Sequence, residues 1–439
     1  MQDITSILRR LKDESDMCVI VAISNLSQSF KYVIITVSSP DMNARSEKGT
    51  WLLNMKVLYM SHRYHTNQTT IMKGWKENGH EVRFLSQYAG KVEDYTYVKP
   101  IVVGYSRLFM AFDYLYVHFL KRKDPFAIDM KLKCGVPPMR KLAKYIREFQ
   151  PDLAIIRERS IYTICMNFLC KRYKVPTILY NLSPVWDKPK KMDLAHKIVW
   201  KLTPTCRMTP TNLVGIDYTG LVKDENGYWA PFLMEPQLAP DKKTYFANGR
   251  INVFCIGKYQ ERKNHQLMIE AIEELLPKYD LHLTIAGEIS NHFHEEYYQK
   301  VKAYVERHGL EERVTFLINL NREAVAKEYA KADVYVVPST GEPASITVIE
   351  AMAFSVPAIS GSDNGTASYI DYGKTGYVFR DNDKEDLKEK LEKIIFDREN
   401  IVKMGAAGYQ HVKDHFQFQN YYEQVETILE RLQNSGKKN

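Results

Sequence analysis
From Met55 the chain runs apolar through Met55-Lys-Val-Leu-Tyr-Met60, turns polar from His62 to Thr69, and takes up a helical pattern through Trp75-Lys-Glu-Asn78. Gly79-His-Glu-Val-Arg-Phe-Leu85 closes that helix and opens another apolar run, so a strand, a helix and a strand are predicted in succession. The alternation continues with Asp152-Leu-Ala-Ile-Ile156, a helix from Tyr162 to Tyr173, and Val175-Pro-Thr-Ile-Leu-Tyr180. Tyr228-Trp-Ala-Pro-Phe-Leu-Met234 and the polar residues up to Gly249 read as a linker. A second series starts at Ile251-Asn-Val-Phe-Cys-Ile256, passes through Leu281 to Ala286, Val314 to Leu317 and Val334 to Val337, and ends in a helical pattern reaching Leu432. Alternating units of this kind build parallel sheets covered on both faces. The expectation is an α/β protein with two Rossmann-like halves and a cleft between them.

Composition keeps this picture and narrows it. The 439 residues allow two core-bearing domains and a smaller appendage, and 45% hydrophobic with 26% charged residues is an ordinary globular balance. Six cysteines, at 18, 134, 165, 170, 206 and 255, form no Cys-x2-Cys pair, which fits a reducing cytosol. The most apolar stretch, Met17 to Ser38, is interrupted by Asn25, Ser27, Gln28, Ser29 and Lys31 and reads as neither a signal peptide nor a membrane span. Charge is uneven: residues 55–230 hold 29 Lys and Arg against 15 Asp and Glu, whereas residues 231–439 hold 26 against 32. A basic first half implies an anionic partner. No nucleic-acid recognition motif accompanies it, so an anionic membrane face or a phosphate-bearing acceptor is the better expectation.

The chemistry concentrates in Glu342-Pro-Ala-Ser-Ile-Thr-Val-Ile-Glu350, which follows the run Val334 to Val337. A helix beginning near Ser345 would hold Glu350 inside it and leave Glu342 in the preceding loop. Both carboxylates then face one ligand, and the amides of Ala344, Ser345 and Ile346 lie at a helix N-terminus, where an anion is favoured. Carboxylates suit sugar and ribose hydroxyls and a helix N-terminus suits phosphate, so a nucleotide-sugar is the expected ligand.

With Ala351-Met-Ala-Phe-Ser-Val-Pro357-Ala-Ile-Ser360, the loop ending in Asn364-Gly365-Thr366, and Gly373-Lys-Thr-Gly-Tyr-Val378, this Glu-x7-Glu block resembles the family 4 (group 1) retaining glycosyltransferases. The resemblance covers roughly residues 55 to 435 and implies the GT-B architecture, two Rossmann-like domains whose parallel sheets face a central cleft. The expected domains are residues 1–54, an extension of unassigned role outside the resemblance; 55–230, for the acceptor; 231–415, for the donor; and 416–439, a helix placed back against the first domain.

After a strand, Gly257-Lys258-Tyr-Gln-Glu-Arg262-Lys263-Asn264 opens a helix with a cationic turn suited to a diphosphate, because fixed positive charge stabilises a leaving group as it gains negative charge. The resemblance assigns the diphosphate contacts to Lys258, which stands where Arg is usual, and Lys263; Arg262 reads as a solvated charge. Lys in place of Arg keeps the charge and loses the planar fork. Ala286-Gly287-Glu288 resembles the family's glycine turn near the donor, and a tight turn explains it equally well. Where the family has a glycine after Val314-Thr-Phe-Leu317, this chain has Ile318-Asn319, a departure close to the base. Where the family often has a histidine near the sugar, it has Arg157-Glu158-Arg159, an alternative being a surface salt-bridged turn. Arg157, Glu158, His62 and His65 are therefore acceptor-side candidates.

His292-Phe-His294-Glu-Glu296 has metal-ligand residue types, in a loop expected to lead into a helix, without a third ligand cluster, and no Asp-x-Asp pair is expected at a strand end to hold a nucleotide-bound divalent ion. Transfer without metal or other cofactor is expected. Leu108 to Phe126, with Lys121-Arg-Lys123, reads either as a membrane-surface segment or as a partly buried helix with a basic end. Together these features imply a retaining glycosyltransferase that moves a sugar from a nucleoside diphosphate to a saccharide or lipid-linked hydroxyl, in the cytoplasm or at the inner face of the plasma membrane. Glu342, Lys258 and Lys263 would serve catalysis; Glu350, Gly257, Pro343, Ala344, Ser345, Ile346, Gly287 and Asn319 would bind the donor. A sugar-nucleotide 2-epimerase of the same fold, or a binding subunit without turnover, is the alternative.

Overall fold
The computed structural model describes residues 21–23, 31–33, 54–90, 94–116, 118, 127–189, 191–215 and 217–436. The chain divides into two units, Met1–Leu53 and Asn54–Asn439. In the first, the described residues form one antiparallel ribbon, β1 (Val21–Ile23) against β2 (Lys31–Val33).

In the second unit, short apolar runs rich in Val, Ile, Leu and Tyr become strands buried on both faces, as parallel sheets require. The first sheet contains β3 (Lys56–Ser61), β4 (Glu81–Ser86), β5 (Ile101–Val102), β6 (Leu153–Arg157) and β7 (Thr177–Tyr180). After the short β8 (Trp186–Asp187) come β9 (Arg207–Thr209), β10 (Val222–Lys223) and β11 (Gly227–Trp229). β8 pairs antiparallel with β10 in a separate ribbon. The others form a seven-stranded parallel sheet in the order β11-β9-β7-β6-β3-β4-β5. Its edge corrects the linker expectation. Tyr228 and Trp229 belong to β11 and pair with Met208 and Thr209, so the first half ends in a strand that the irregular pattern concealed.

The second sheet contains β12 (Ile251–Ile256), β13 (Leu281–Gly287), β14 (Val314–Ile318), β15 (Val334–Val337), β16 (Ala358–Gly361) and β17 (Gly376–Phe379). Its order is β14-β13-β12-β15-β16-β17, all parallel. Counted within each half, the first sheet runs 3-2-1-4-5-6-7 and the second 3-2-1-4-5-6, and both reverse direction between the first and fourth strands, β3 and β6 in one and β12 and β15 in the other. Such a reversal leaves a crevice at the carboxyl ends of the strands, where ligands bind in open α/β sheets.

The C-terminal helix Phe418–Gly436 returns to the first half. There Trp75 meets Phe418 and Tyr422 edge-on at 5.2 and 5.5 Å between ring centres. Trp75 Nε1 donates to the Tyr59 hydroxyl at 2.7 Å, which in turn lies 2.8 Å from the Tyr421 hydroxyl. These groups are fully buried, so the hydrogen bonds satisfy polar atoms that water does not reach.

Candidate functional site
The cationic turn and the two glutamates singled out in the second half lie on the segments that follow β12 and β15. β12 ends at Ile256, and Gly257 begins a turn closed by the 3-10 segment Glu261–Lys263 and by Asn264 in the left-handed region. The Lys263 stem lies across Gly257, where an added Cβ would stand 3.0 Å from Lys263 Cδ. On the neighbouring turn a Cβ at Gly287 would come within 2.4 Å of the Tyr259 ring. Tyr259 is itself anchored, its hydroxyl donating to the carbonyls of Ile285 and Leu317 at 3.0 and 3.1 Å. Gly287 is therefore needed for the close approach of the two turns.

After β15 the loop carries Glu342 into the site with only 7% of its surface exposed. Its Oε2 accepts from Lys263 Nζ at 2.5 Å and from Arg262 Nη1 at 2.7 Å. Arg262 is thus a partner of the first glutamate, not a solvated charge, and its own carbonyl accepts from Thr340 N–H at 2.8 Å to tie the two loops together. Lys258 does not join this group: its ammonium lies 3.2 Å from Glu288 Oε2, both half exposed.

The Glu342 loop is strapped from several sides. Gly365 N–H donates to the Glu342 carbonyl at 2.9 Å. Thr211 of the first half donates its hydroxyl to the Pro343 carbonyl at 3.2 Å. A Cβ at Gly365 would lie 1.9 Å from the Pro343 carbonyl oxygen, so only glycine fits. The helix begins at Thr347, two residues later than the sequence predicts, with Ile346 as its cap. Thr366 explains the delay: its hydroxyl accepts from Ser345 N–H at 3.3 Å and donates to the Ser345 carbonyl at 2.7 Å, fixing Ser345 outside the helix. The Ser345 amide is consequently engaged within the protein, which leaves Ala344 and Ile346 from the expected row of amides.

Glu350 lies in the first turn of the helix Thr347–Ala353, partly open and otherwise crowded by protein. Its Oε2 accepts from the Tyr329 hydroxyl at 3.0 Å. Burial raises its pKa above the ordinary glutamate value, while the Tyr329 hydrogen bond and Arg322 pull the other way. Asn319 stands at φ +54, the conformation a glycine would adopt, and its amide both accepts from Ile289 N–H at 2.9 Å and donates to the Ile289 carbonyl at 3.1 Å. Its side chain clamps the ends of β13 and β14, so the departure from glycine keeps the backbone shape and leaves the amide group occupied.

At the carboxyl ends of β3 and β6 the first half gathers His62, His65, Arg157 and Glu158 around a cavity of about 350 Å³. Arg157 Nε donates to Glu158 Oε1 at 3.1 Å, and His62 Nδ1 lies 3.7 Å from the other oxygen. Glu158 has φ +62, a strained conformation for a residue with a side chain, held by its N–H donating to the Tyr180 carbonyl at 2.6 Å. Burial lowers the pKa of His62 and brings that of His65 down to about 3, with Arg157 and Arg63 adding to the effect on His65. The turn is thus salt-bridged, as the alternative expected, with Arg157 only 11% exposed and Glu158 38%. Arg159, quoted with them in the sequence but not among the acceptor-side candidates, also lines the cavity, its guanidinium 3.5 Å from the centre of the Trp200 ring.

Two acidic or metal-like runs have structural roles. His292 to Glu296 opens the helix His292–Arg307, not a loop, because Asn291 caps it by accepting from His294 N–H at 3.0 Å. Contrary to expectation an Asp-x-Asp pair does stand just past a strand end, Asp381-Asn-Asp383 after β17, but Asp383 caps the helix Lys384–Ile395 by accepting from Asp386 N–H at 2.9 Å. Among the described residues no group of three or more His, Cys, Asp or Glu side chains is arranged to hold a metal ion.

This arrangement has the fold of known glycosyltransferases. A glycosyltransferase from Rickettsia africae superposes with a TM-score of 0.61 over 87% of this chain and 99% of its own, at 16% identity. Anabaena Alr3699/HepE in complex with UDP-glucose gives 0.62 over 86% and 100%, at 13% identity. The fold is GT-B. Within it, residues 239–411 match the family model described as glycosyl transferases group 1, and the chain carries that group's domain. Among curated proteins it is 28% identical over 212 residues to the alpha-1,3/1,6-mannosyltransferase ALG2 of Dictyostelium discoideum, covering 46% of this chain and 48% of that one. It is 30% identical over 169 residues to the lipopolysaccharide core biosynthesis mannosyltransferase LpcC of Rhizobium leguminosarum, covering 38% and 47%. The chain thus spans about half the length of the curated relatives it matches.

Proposed function
We propose that this protein is a retaining glycosyltransferase that moves a sugar, with mannose the first candidate, from a nucleoside diphosphate to a hydroxyl of a saccharide or lipid-linked acceptor at an anionic membrane face. The observation that carries the reading is Glu342 held between Lys263 and Arg262 at the reversal point of the second sheet. A buried carboxylate with two adjacent cations provides an acceptor for sugar hydroxyls next to charge for a departing diphosphate. Glu350, in the first turn of the following helix, binds the ribose, and Lys258 reaches the diphosphate by leaving Glu288. The two mannosyltransferases among the relatives support mannose as the donor sugar.

Transfer proceeds on one face of the donor: the acceptor hydroxyl loses its proton to a donor phosphate oxygen while the bond from the anomeric carbon to that phosphate breaks and the new glycosidic bond forms. Lys263 and Arg262 take up the charge that develops on the nucleoside diphosphate. No metal or other cofactor has a part in this scheme. The membrane assignment is supported by the helix Leu194–Leu202, none of whose side chains is buried. Leu194, Ile198 and Leu202 form one exposed stripe, with Lys197 and Lys201 beside it. Among the described residues no helix is long and apolar enough to cross a membrane. Incubating the protein with UDP- and GDP-sugars and candidate acceptors tests the reading. Nucleoside diphosphate and a glycoside of unchanged anomeric configuration should form; an inverted product or an epimerised donor would contradict it.

A further inference from the structure
The cavity at the carboxyl ends of β3 and β6 carries more positive charge and more unmet hydrogen-bonding capacity than a site for neutral hydroxyls needs. Among the described residues Arg63, Lys133, Arg157 and Arg159 line it against one carboxylate, that of Glu158. On the side chains that line it, Arg157 Nη1, Arg159 Nε and Nη2, and His62 Nε2 are buried with no hydrogen-bond partner among the described residues. A buried polar nitrogen left unpaired costs free energy, and three guanidinium nitrogens and one imidazole nitrogen on three neighbouring side chains are retained most readily when a ligand satisfies them. Arg159 is also fixed in place: it is pinned against Trp200, and Ser160 next to it caps the helix Ile161–Arg172 by accepting from Thr163 N–H at 3.2 Å. The strained backbone of Glu158 holds the same turn in shape.

Planar guanidinium forks with free N–H groups match the oxygen geometry of phosphate and bind it bidentately. Every residue lining this cavity lies between His62 and Ser160, and none comes from the loops that carry Lys263 and Glu342. We propose that Arg157 and Arg159 bind a phosphate group of the acceptor, so that the sugar is transferred to a hydroxyl of a phosphate-bearing molecule. Glu158 and His62 then lie where a hydroxyl of that molecule can be held. This deepens the reading above and rests on it for the word acceptor, while phosphate binding itself does not depend on turnover.

The test is calorimetric titration of the full chain with inorganic phosphate, alone and with saturating UDP or GDP. The expected result is phosphate binding that persists with nucleotide present, weakened at least tenfold in Arg159→Met and in Arg157→Met, with nucleotide affinity unchanged in both. Arg159→Lys, which keeps the charge and loses the fork, should fall between wild type and Arg159→Met. Glycerol 3-phosphate and dihexanoyl phosphatidic acid, compared below the aggregation concentration of the lipid, distinguish the sources. Equal affinity assigns a soluble phosphate ester, and at least tenfold tighter binding of the lipid assigns a phospholipid-like acceptor. Absence of phosphate binding by the wild-type protein, or its displacement by nucleotide, would overturn the proposal without any variant having to fold. Absence of nucleotide binding would instead contradict the donor assignment.

Discussion
Glu342 and Glu350 stand eight residues apart and are held by different means. Glu342 is neutralised by two cations, one of which, Lys263, is only 13% exposed. Replacing Glu342 with Gln leaves that ammonium buried without its counter-charge, and breaking buried pairs of this kind costs about 3 kcal/mol. The half-exposed Arg262 adds less, because water screens an ion pair that lies partly in solvent. Denaturant unfolding of Glu342→Gln should show that loss; a change below about 0.5 kcal/mol would mean the pair is not formed in solution. Glu350 has one neutral donor, Tyr329, and a raised pKa. In the folded chain it therefore holds its proton more tightly than in the unfolded chain, so the charged form subtracts stability above the folded pKa, and that penalty disappears as pH falls below the ordinary glutamate value. If the ionised form binds ribose, nucleotide affinity should fall as pH drops through the raised pKa, and the step should vanish in Glu350→Gln. At neutral pH that variant should lose about 1.5–3 kcal/mol of nucleotide binding, read by calorimetry. At this scale the sequence revealed both carboxylates and Lys263 through spacing and context. Arg262 was hidden because an arginine in a loop has the same local pattern whether it is solvated or paired. Tyr329 was hidden because the helix carrying it has no motif and meets Glu350 only through the tertiary fold.

Strands and helices follow the apolar pattern where the pattern is long and unbroken, as in β3, β6, β12 and β13. It failed at β11, three half-buried residues at a sheet edge whose pairing with β9 is set by distant residues, and at the helix start, where Thr366 holds Ser345 back. The C-terminal helix shows what such long-range contact demands. Gly74 faces it so closely that an added Cβ would stand 2.1 Å from the Phe418 ring. Gly74→Ala raises the local helix propensity by about 1 kcal/mol, yet it drives a methyl group into a packed aromatic cluster, where overpacking costs about 1–3 kcal/mol. The net expectation is a lower melting temperature than wild type. Phe418→Ala alone should also destabilise the protein, and combining it with Gly74→Ala should cost less than the sum of the two, because the first removes the clash. Additive losses would show that the helix is not packed there.

The two halves touch at few points near the site, among them Thr211 on Pro343 and Asp94 on Arg322, whose charged atoms are 3.3 Å apart. A nucleotide held by the second half and an acceptor held by the first must therefore meet across loops that already share hydrogen bonds. The basic first half bears the exposed stripe of Leu194, Ile198 and Leu202, so attachment to lipid would present the acceptor cavity near the membrane, since Trp200 of the same helix stacks on Arg159. Each Lys or Arg near an anionic surface contributes about 1 kcal/mol. The protein should therefore sediment with phosphatidylglycerol vesicles at low ionic strength and be released by salt. Replacing Lys197 and Lys201 with Gln should weaken that association by about 2 kcal/mol. Failure of the wild-type protein to sediment would remove the membrane assignment. The basic group singled out in the sequence, Lys121-Arg-Lys123, lies outside the described residues. The apolar stripe of the helix Leu194–Leu202 was not legible, because exposure depends on which faces the neighbouring helices cover.

The central claim is that the site around Glu342 and Glu350 transfers a sugar from a nucleoside diphosphate. The most direct measurement is release of nucleoside diphosphate from a panel of UDP- and GDP-sugars, with and without phosphate-bearing acceptors, by wild type and by Glu342→Gln. The account predicts acceptor-dependent release with one donor, reduced at least a hundredfold in the variant while the nucleotide still binds. Acceptor-dependent release that is equal in wild type and variant would contradict it.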